Sequence, residues 1–173
     1  MKKLFILGLI FCLPVSAGQL SRTAHVSRDI TLSVSTGAYS DGDQLGTPFE
    51  ITRPHYEKGG YSGFDGITVK DADDQGAAFD ILLFDDLLVI TSADNEALAI
   101  SDAEMNDKFI ARGNVVAGDY TNLANNQVAH ANLGQHNAKL KNGSTSFWGI
   151  AVSRGTPTYG GGELQLILHF HNF

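Results

Sequence analysis

The chain has 173 residues, enough for one domain with its own core, and a formal net charge of −7 with 12 basic against 19 acidic side chains. An acidic balance without a basic stretch argues against nucleic acid or an anionic membrane as partner, since both need cations to offset phosphate. Its one cysteine, Cys12, rules out a disulfide within the chain, and loss of Cys12 with a signal peptide would also leave no thiol for catalysis or a metal.

In chain order, residues 1–17 are expected to be a signal peptide: Lys2 and Lys3, an apolar run from Leu4 to Leu13, then Pro14 and the small residues Ser16 and Ala17. The run is shorter than the roughly 20 residues a membrane helix needs, so contact with a membrane is expected only through this segment if it stays uncleaved. Cleavage after Ala17 would remove two lysines and Cys12, changing the formal charge from −7 to −9. Residues 18–28, polar and weakly patterned, are expected to form a flexible arm before a single domain over 29–173.

Within that domain apolar residues alternate. Ile30, Leu32 and Val34 fall on one face, as do Ile67 and Val69, which is the period of a half-buried strand. "AFDILLFDDLLVIT" is one or two strands broken at Asp85-Asp86, and "FWGIAVS" and "LQLILHF" supply two more. Asp41-Gly42, Gly59-Gly60, Asn142-Gly143 and the glycines at 160–162 mark turns. "SDAEMND" is the one expected helix, with Ser101 and Glu104 at capping-box spacing. The fold class that follows is all-β: a single-domain antiparallel β-sandwich or jelly roll with one short helix.

"VSRGTPTYGGGELQLILHF" at 152–170 lacks the order of a phosphate loop and has no following helix, so its glycines are expected to form a hairpin loop. "DADDQG" places Asp71, Asp73 and Gly76 where a calcium loop would, but Leu82 stands at the position of the bidentate glutamate. A looser calcium site at Asp71, Asp73 or Asp74 stays open against a solvated acidic turn. His169 and His171, two apart on a strand, face the same way as a zinc chelate would, but His25, His55, His130 and His136 show no telling spacing for a third ligand. No nucleophile elbow or HExxH motif occurs. No catalytic, cofactor-binding or metal-ligating residue is therefore assigned. Phe147 and Trp148 are adjacent on a strand, so one packs inward while the other meets solvent or a partner, against the plainer expectation that both are core or rim residues.

Four segments in order carry a resemblance: "TGAYSDGDQLG" at 36–46, "GITVKDADDQGAAFDILLFDD" at 66–86, "SADNEALAISDAEM" at 92–105 and "SFWGIAVSRGTPTYGGGELQLIL" at 146–168. Together they resemble a group of small virion structural proteins of tailed bacteriophages, of the head-decoration or auxiliary kind. The resemblance implies a non-enzymatic protein localised to the virion, attached to other virion or assembly subunits and self-associating, with a trimer as the hypothesis. Tyr39, Trp148, Arg154 and Tyr159 are then the expected interface residues. Residues 1–28 lie outside the resemblance, and the export signal points instead to a periplasmic or secreted adhesive or glycan-binding domain as the alternative.

Overall fold

The computed structural model describes residues 24–52, 60–141, 143–160 and 164–172; the expected signal peptide and Gly59 and Asn142 lie outside them. The described elements are β1 (Ala24–Thr31), β2 (Gln44–Thr52), β3 (Tyr61–Asp71), β4 (Phe79–Phe84), helix α1 (Asp102–Lys108), β5 (Phe109–Val115), β6 (Tyr120–Asn122), β7 (Gln127–Lys139), β8 (Ser146–Ser153) and β9 (Leu164–Asn172).

The strands form two antiparallel sheets, ordered β1-β9-β3-β7-β6 and β2-β8-β4-β5. The pairs nest: β1 with β9, β2 with β8, β3 with β7, β4 with β5, as though one long hairpin were wound around a core. That nesting is a jelly roll, with β6 added as a short edge strand. Its antiparallel pairing bears out the expected all-β fold class.

Alternation explains what each strand buries. On β9, Leu164, Leu166, Leu168 and Phe170 are fully buried between the sheets, while Gln165, Ile167 and His169 face outward. Phe79, Ile81 and Leu83 on β4 and Phe147 and Ala151 on β8 meet them from the other sheet. Phe64 stacks edge-on against Phe170 at 4.7 Å between ring centroids and tilts against Phe147 at 5.3 Å, joining the two layers.

Beyond Asp80, β4 is apolar on both faces because the outer face of its sheet is covered there too. The chain leaves β4 at Asp85-Asp86, where the strand was expected to break, and residues 87–100 with α1 fold back over it. Leu88, Ile90, Leu98, Ile100 and Met105 pack there against Leu82, Phe84, Trp148 and Ile150. Burying Phe84 and Ile150 completely is worth about 1.5–3 kcal/mol each.

Helix α1 forms where expected, with the Ser101 hydroxyl accepting from the Glu104 N–H at 3.2 Å. The Glu104 carboxylate does not complete the box. It takes the Lys108 ammonium at 2.7 Å and the Val89 N–H at 3.1 Å, tying the helix to the covering segment.

Two expectations are corrected. The arm expected over 18–28 is a strand from Ala24 onward, paired with β9 from Ala24↔Asn172 to Thr31↔Gln165. Its polar residues suit an edge strand with one solvated face. The glycine-rich stretch after β8 is no hairpin, because β8 and β9 belong to different sheets and the loop crosses between them. Two flanking strands do not reveal by themselves whether they pair with each other.

Candidate functional site

The segments that carry the resemblance meet at one end of the jelly roll. Asp41-Gly42 makes a turn with Gly42 at φ +91°, where a side chain would be strained. The turn sends Gly42 N–H to Ser153 O (2.9 Å), while Ser153 N–H bonds Asp43 O (2.8 Å) and Leu98 N–H bonds Gly42 O (3.0 Å). Tyr39 N–H donates to Pro157 O at 2.9 Å, and Gln44 N–H to Glu96 O at 2.8 Å. One carboxylate oxygen of Asp94 accepts both the Tyr39 hydroxyl and the Gly46 N–H, each at 2.7 Å. Residues 36–46, 92–98 and 153–158, distant in sequence, are thereby one hydrogen-bonded unit.

Of the four expected interface residues, Tyr39 and Tyr159 lie inside this unit at 1% exposure, their rings edge-to-face 6.1 Å apart. They were expected to be available to neighbours; instead their large apolar rings fill the space under the loops and hold them together. Burial pushes both phenol pKa values well up. Trp148 points outward from β8 and packs under the covering segment.

Arg154 does reach the surface, with its side chain 43% exposed. Its Nε donates to Asp80 Oδ2 at 2.6 Å and a terminal nitrogen reaches Asp41 Oδ1 at 3.4 Å. Arg112 holds the other Asp80 oxygen at 2.9 Å. Asp80 is the outward residue of β4 at a buried position, so two arginines compensate its charge. The hydrogen bond to Asp80 raises the Arg154 pKa further, keeping the guanidinium charged.

The acidic turn is organised by its own backbone. Asp71, 1% exposed, accepts Asp73 N–H at 3.0 Å and Gly76 N–H at 2.8 Å, and the Asp73 carboxylate accepts Gly160 N–H. Among the described residues no group of three His, Cys, Asp or Glu side chains converges on a metal position. An open depression of about 360 Å³ lies beside this turn, where Lys70, Val128 and Gln165 on the outer face meet Asn126 and Gln127.

The arrangement least visible in the sequence lies on the outer face of the five-stranded sheet. His169 sits between Ser27 on β1 and Gly66 on β3, and Thr68 opposite His130 on β7. Thr68 Oγ1 lies 2.9 Å from His169 Nε2 and 3.1 Å from His130 Nδ1, and His169 Nδ1 lies 3.0 Å from Ser27 Oγ. Nearby, Asp65 Oδ1 lies 2.5 Å from His171 Nδ1, while Oδ2 lies 3.6 Å from His25 Nδ1. His169 and His171 do share a face, as expected, but they join different partners rather than a common point.

Of two glycines on β3, Gly63 makes room for the His171 ring, whereas Gly66 makes room for the Ala131 carbonyl beside His130. A Cβ at Gly63 would fall 2.1 Å from the His171 ring, and one at Gly66 would lie 3.0 Å from Ala131 O and 3.6 Å from the His130 ring. Glycine inside a strand is the one local signal of such close approach. Burial first, and then the neighbouring His130, lower the His169 pKa, with Asp65 opposing.

No protein family and no curated protein matches the chain. Among solved structures it is similar to the infectious bursal disease virus VP2 subviral particle, at 9% identity and a TM-score of 0.28 over 88% of this chain. The chain spans only 41% of that protein's length.

Proposed function

We propose that the protein is a non-enzymatic structural subunit of a virion, an auxiliary or decoration protein attached to a larger assembly and associating with itself. The supporting observation is that the four resemblance segments meet at one end of a jelly roll, with Tyr39, Asp94 and Pro157 at the crossing points of three and Ala78 O accepting the Arg154 N–H from the fourth. A shared motif order is meaningful when its parts build one structure. Jelly rolls recur in viral capsids and also in lectins, so the fold is compatible with the role by analogy and does not select it. Leu87, Val89 and Phe109, exposed around α1, and Arg154 are among the side chains that a neighbour could meet.

Mass spectrometry on purified particles, periplasm and medium from the native source tests the proposal. Recovery in particles at a fixed ratio to the major subunit is the expected result. Recovery only outside particles, with a chain beginning at Gly18, would overturn it. That outcome would favour an exported glycan-binding domain, for which the amide-lined depression at Lys70 and Gln165 is the natural place to look. Light scattering of the purified protein addresses self-association, with a trimer expected and a monomer at micromolar concentration against it.

A further inference from the structure

We propose that His130, Thr68, His169 and Ser27 form one hydrogen-bonded relay across β7, β3, β9 and β1 that holds zero or one extra proton, and that a second proton drives His130 off the sheet.

A count of donors and of charges sets this limit. Thr68 Oγ1 is the shared partner of His130 Nδ1 and His169 Nε2, and a hydroxyl has one proton to give and two lone pairs. With both rings neutral, the chain is satisfied in either direction. Ser27 can donate to His169, His169 to Thr68 and Thr68 to His130, or every bond can run the other way. With one extra proton it is still satisfied. A charged His169 donates to Ser27 and Thr68, and Thr68 donates to His130; a charged His130 donates to Thr68, which donates to His169, which donates to Ser27. The hydroxyl thus lets the charge sit on either ring without breaking a bond.

With two extra protons both rings donate to the same oxygen. Its two lone pairs can take both bonds while the Thr68 proton turns to water, so what opposes this state is charge: two cations stand with ring centroids 5.8 Å apart. His130 is the exposed ring and His169 the half-buried one, bonded on both sides. His130 is therefore the ring that leaves, exchanging Thr68 for water and adding a free imidazolium to the face.

The other titratable groups on these strands are His25, Arg28 and Asp29 on β1, His171 on β9, Tyr61, Asp65, Lys70 and Asp71 on β3, and His136 and Lys139 on β7. Of these, Asp65 acts on His169, favouring its charged form. It offsets only part of the burial that disfavours a proton on His169, and it does not relieve the crowding at Thr68.

The test is an NMR titration of the ring nitrogens in the full chain, from about pH 8 to about pH 4.5, spanning the histidine range. Two coupled steps shared by His130 and His169 are expected, with the His130 Nδ1 signal losing its hydrogen-bonded character only in the second. In His130→Gln, His169 should take its proton in a single step at higher pH than in the wild type. In Thr68→Val the fixed Nδ1 bond of His130 should be lost at every pH. The proposal is overturned if the wild-type rings each follow an independent single step, a result that needs no variant to fold. It is equally overturned if the His169 curve in His130→Gln superimposes on that of the wild type.

Discussion

Gly149 lies on β8 opposite Phe49 of β2 on one side and Leu83 of β4 on the other, and the Phe49 ring rests directly on it. A Cβ added there would stand 2.4 and 2.5 Å from Phe49 Cε2 and Cζ, distances no real contact tolerates. In Gly149→Ala the ring must either strain its neighbours, at about 1–3 kcal/mol, or swing out of the core. Leaving the core forfeits up to about 1.5–3 kcal/mol of burial. Alanine returns about 0.4–1 kcal/mol by restricting the unfolded chain. The net expectation is a loss of about 1–2 kcal/mol, seen as a lower urea midpoint with an unchanged slope. In the Phe49→Leu background the same change should cost less, giving a coupling of at least about 0.5 kcal/mol. A neutral or stabilising Gly149→Ala, or strict additivity with Phe49→Leu, would refute the account.

Three further outcomes are expected. Asp80→Ala takes from Arg112 and Arg154 their shared carboxylate and leaves Arg154 only its 3.4 Å contact with Asp41; a fully buried pair would cost more, but these guanidinium groups reach water, so the loss should be about 1–2 kcal/mol by urea unfolding. A change under about 0.5 kcal/mol would show that the pair of arginines is not compensating a buried charge. Ser101→Ala removes the cap of α1 and should cost about 1 kcal/mol, with hydrogen exchange accelerating in α1 and in the covering segment before the sheets. For His169, the folded state binds the proton less readily than the unfolded chain, so its contribution to stability is present above the ordinary histidine range and is lost as pH falls through it. The difference in thermal midpoint between wild type and His169→Gln should therefore shift toward the variant on acidification, and a pH-independent difference would count against the burial of His169.

Period-2 alternation identified β3, β4, β8 and β9, because each strand's own residues must sort into an inner and an outer set. The break at Asp85-Asp86 and the cap at Ser101 were equally local, since turn and cap chemistry act over a few residues. The second layer over β4 left its trace in the doubly apolar "LLF", although nothing nearby said what would cover it. Tyr39 and Tyr159 looked like surface aromatics and proved interior, because their burial depends on loops more than a hundred residues apart closing over them. The same is true of Ser27, Thr68, His130 and His169: four ordinary polar residues on four strands become one chain only when β9 inserts between β1 and β3. The sequence by itself determined the all-β class and, for β3, β4, β8 and β9, which side of the strand is apolar; β2, β5, β6, β7 and the first half of β1 carried no alternation clear enough to be read. The nested pairing, the crossover after β8 and the histidine face were decided only by the tertiary structure, because strand pairing is a choice among distant partners that local periodicity leaves equal.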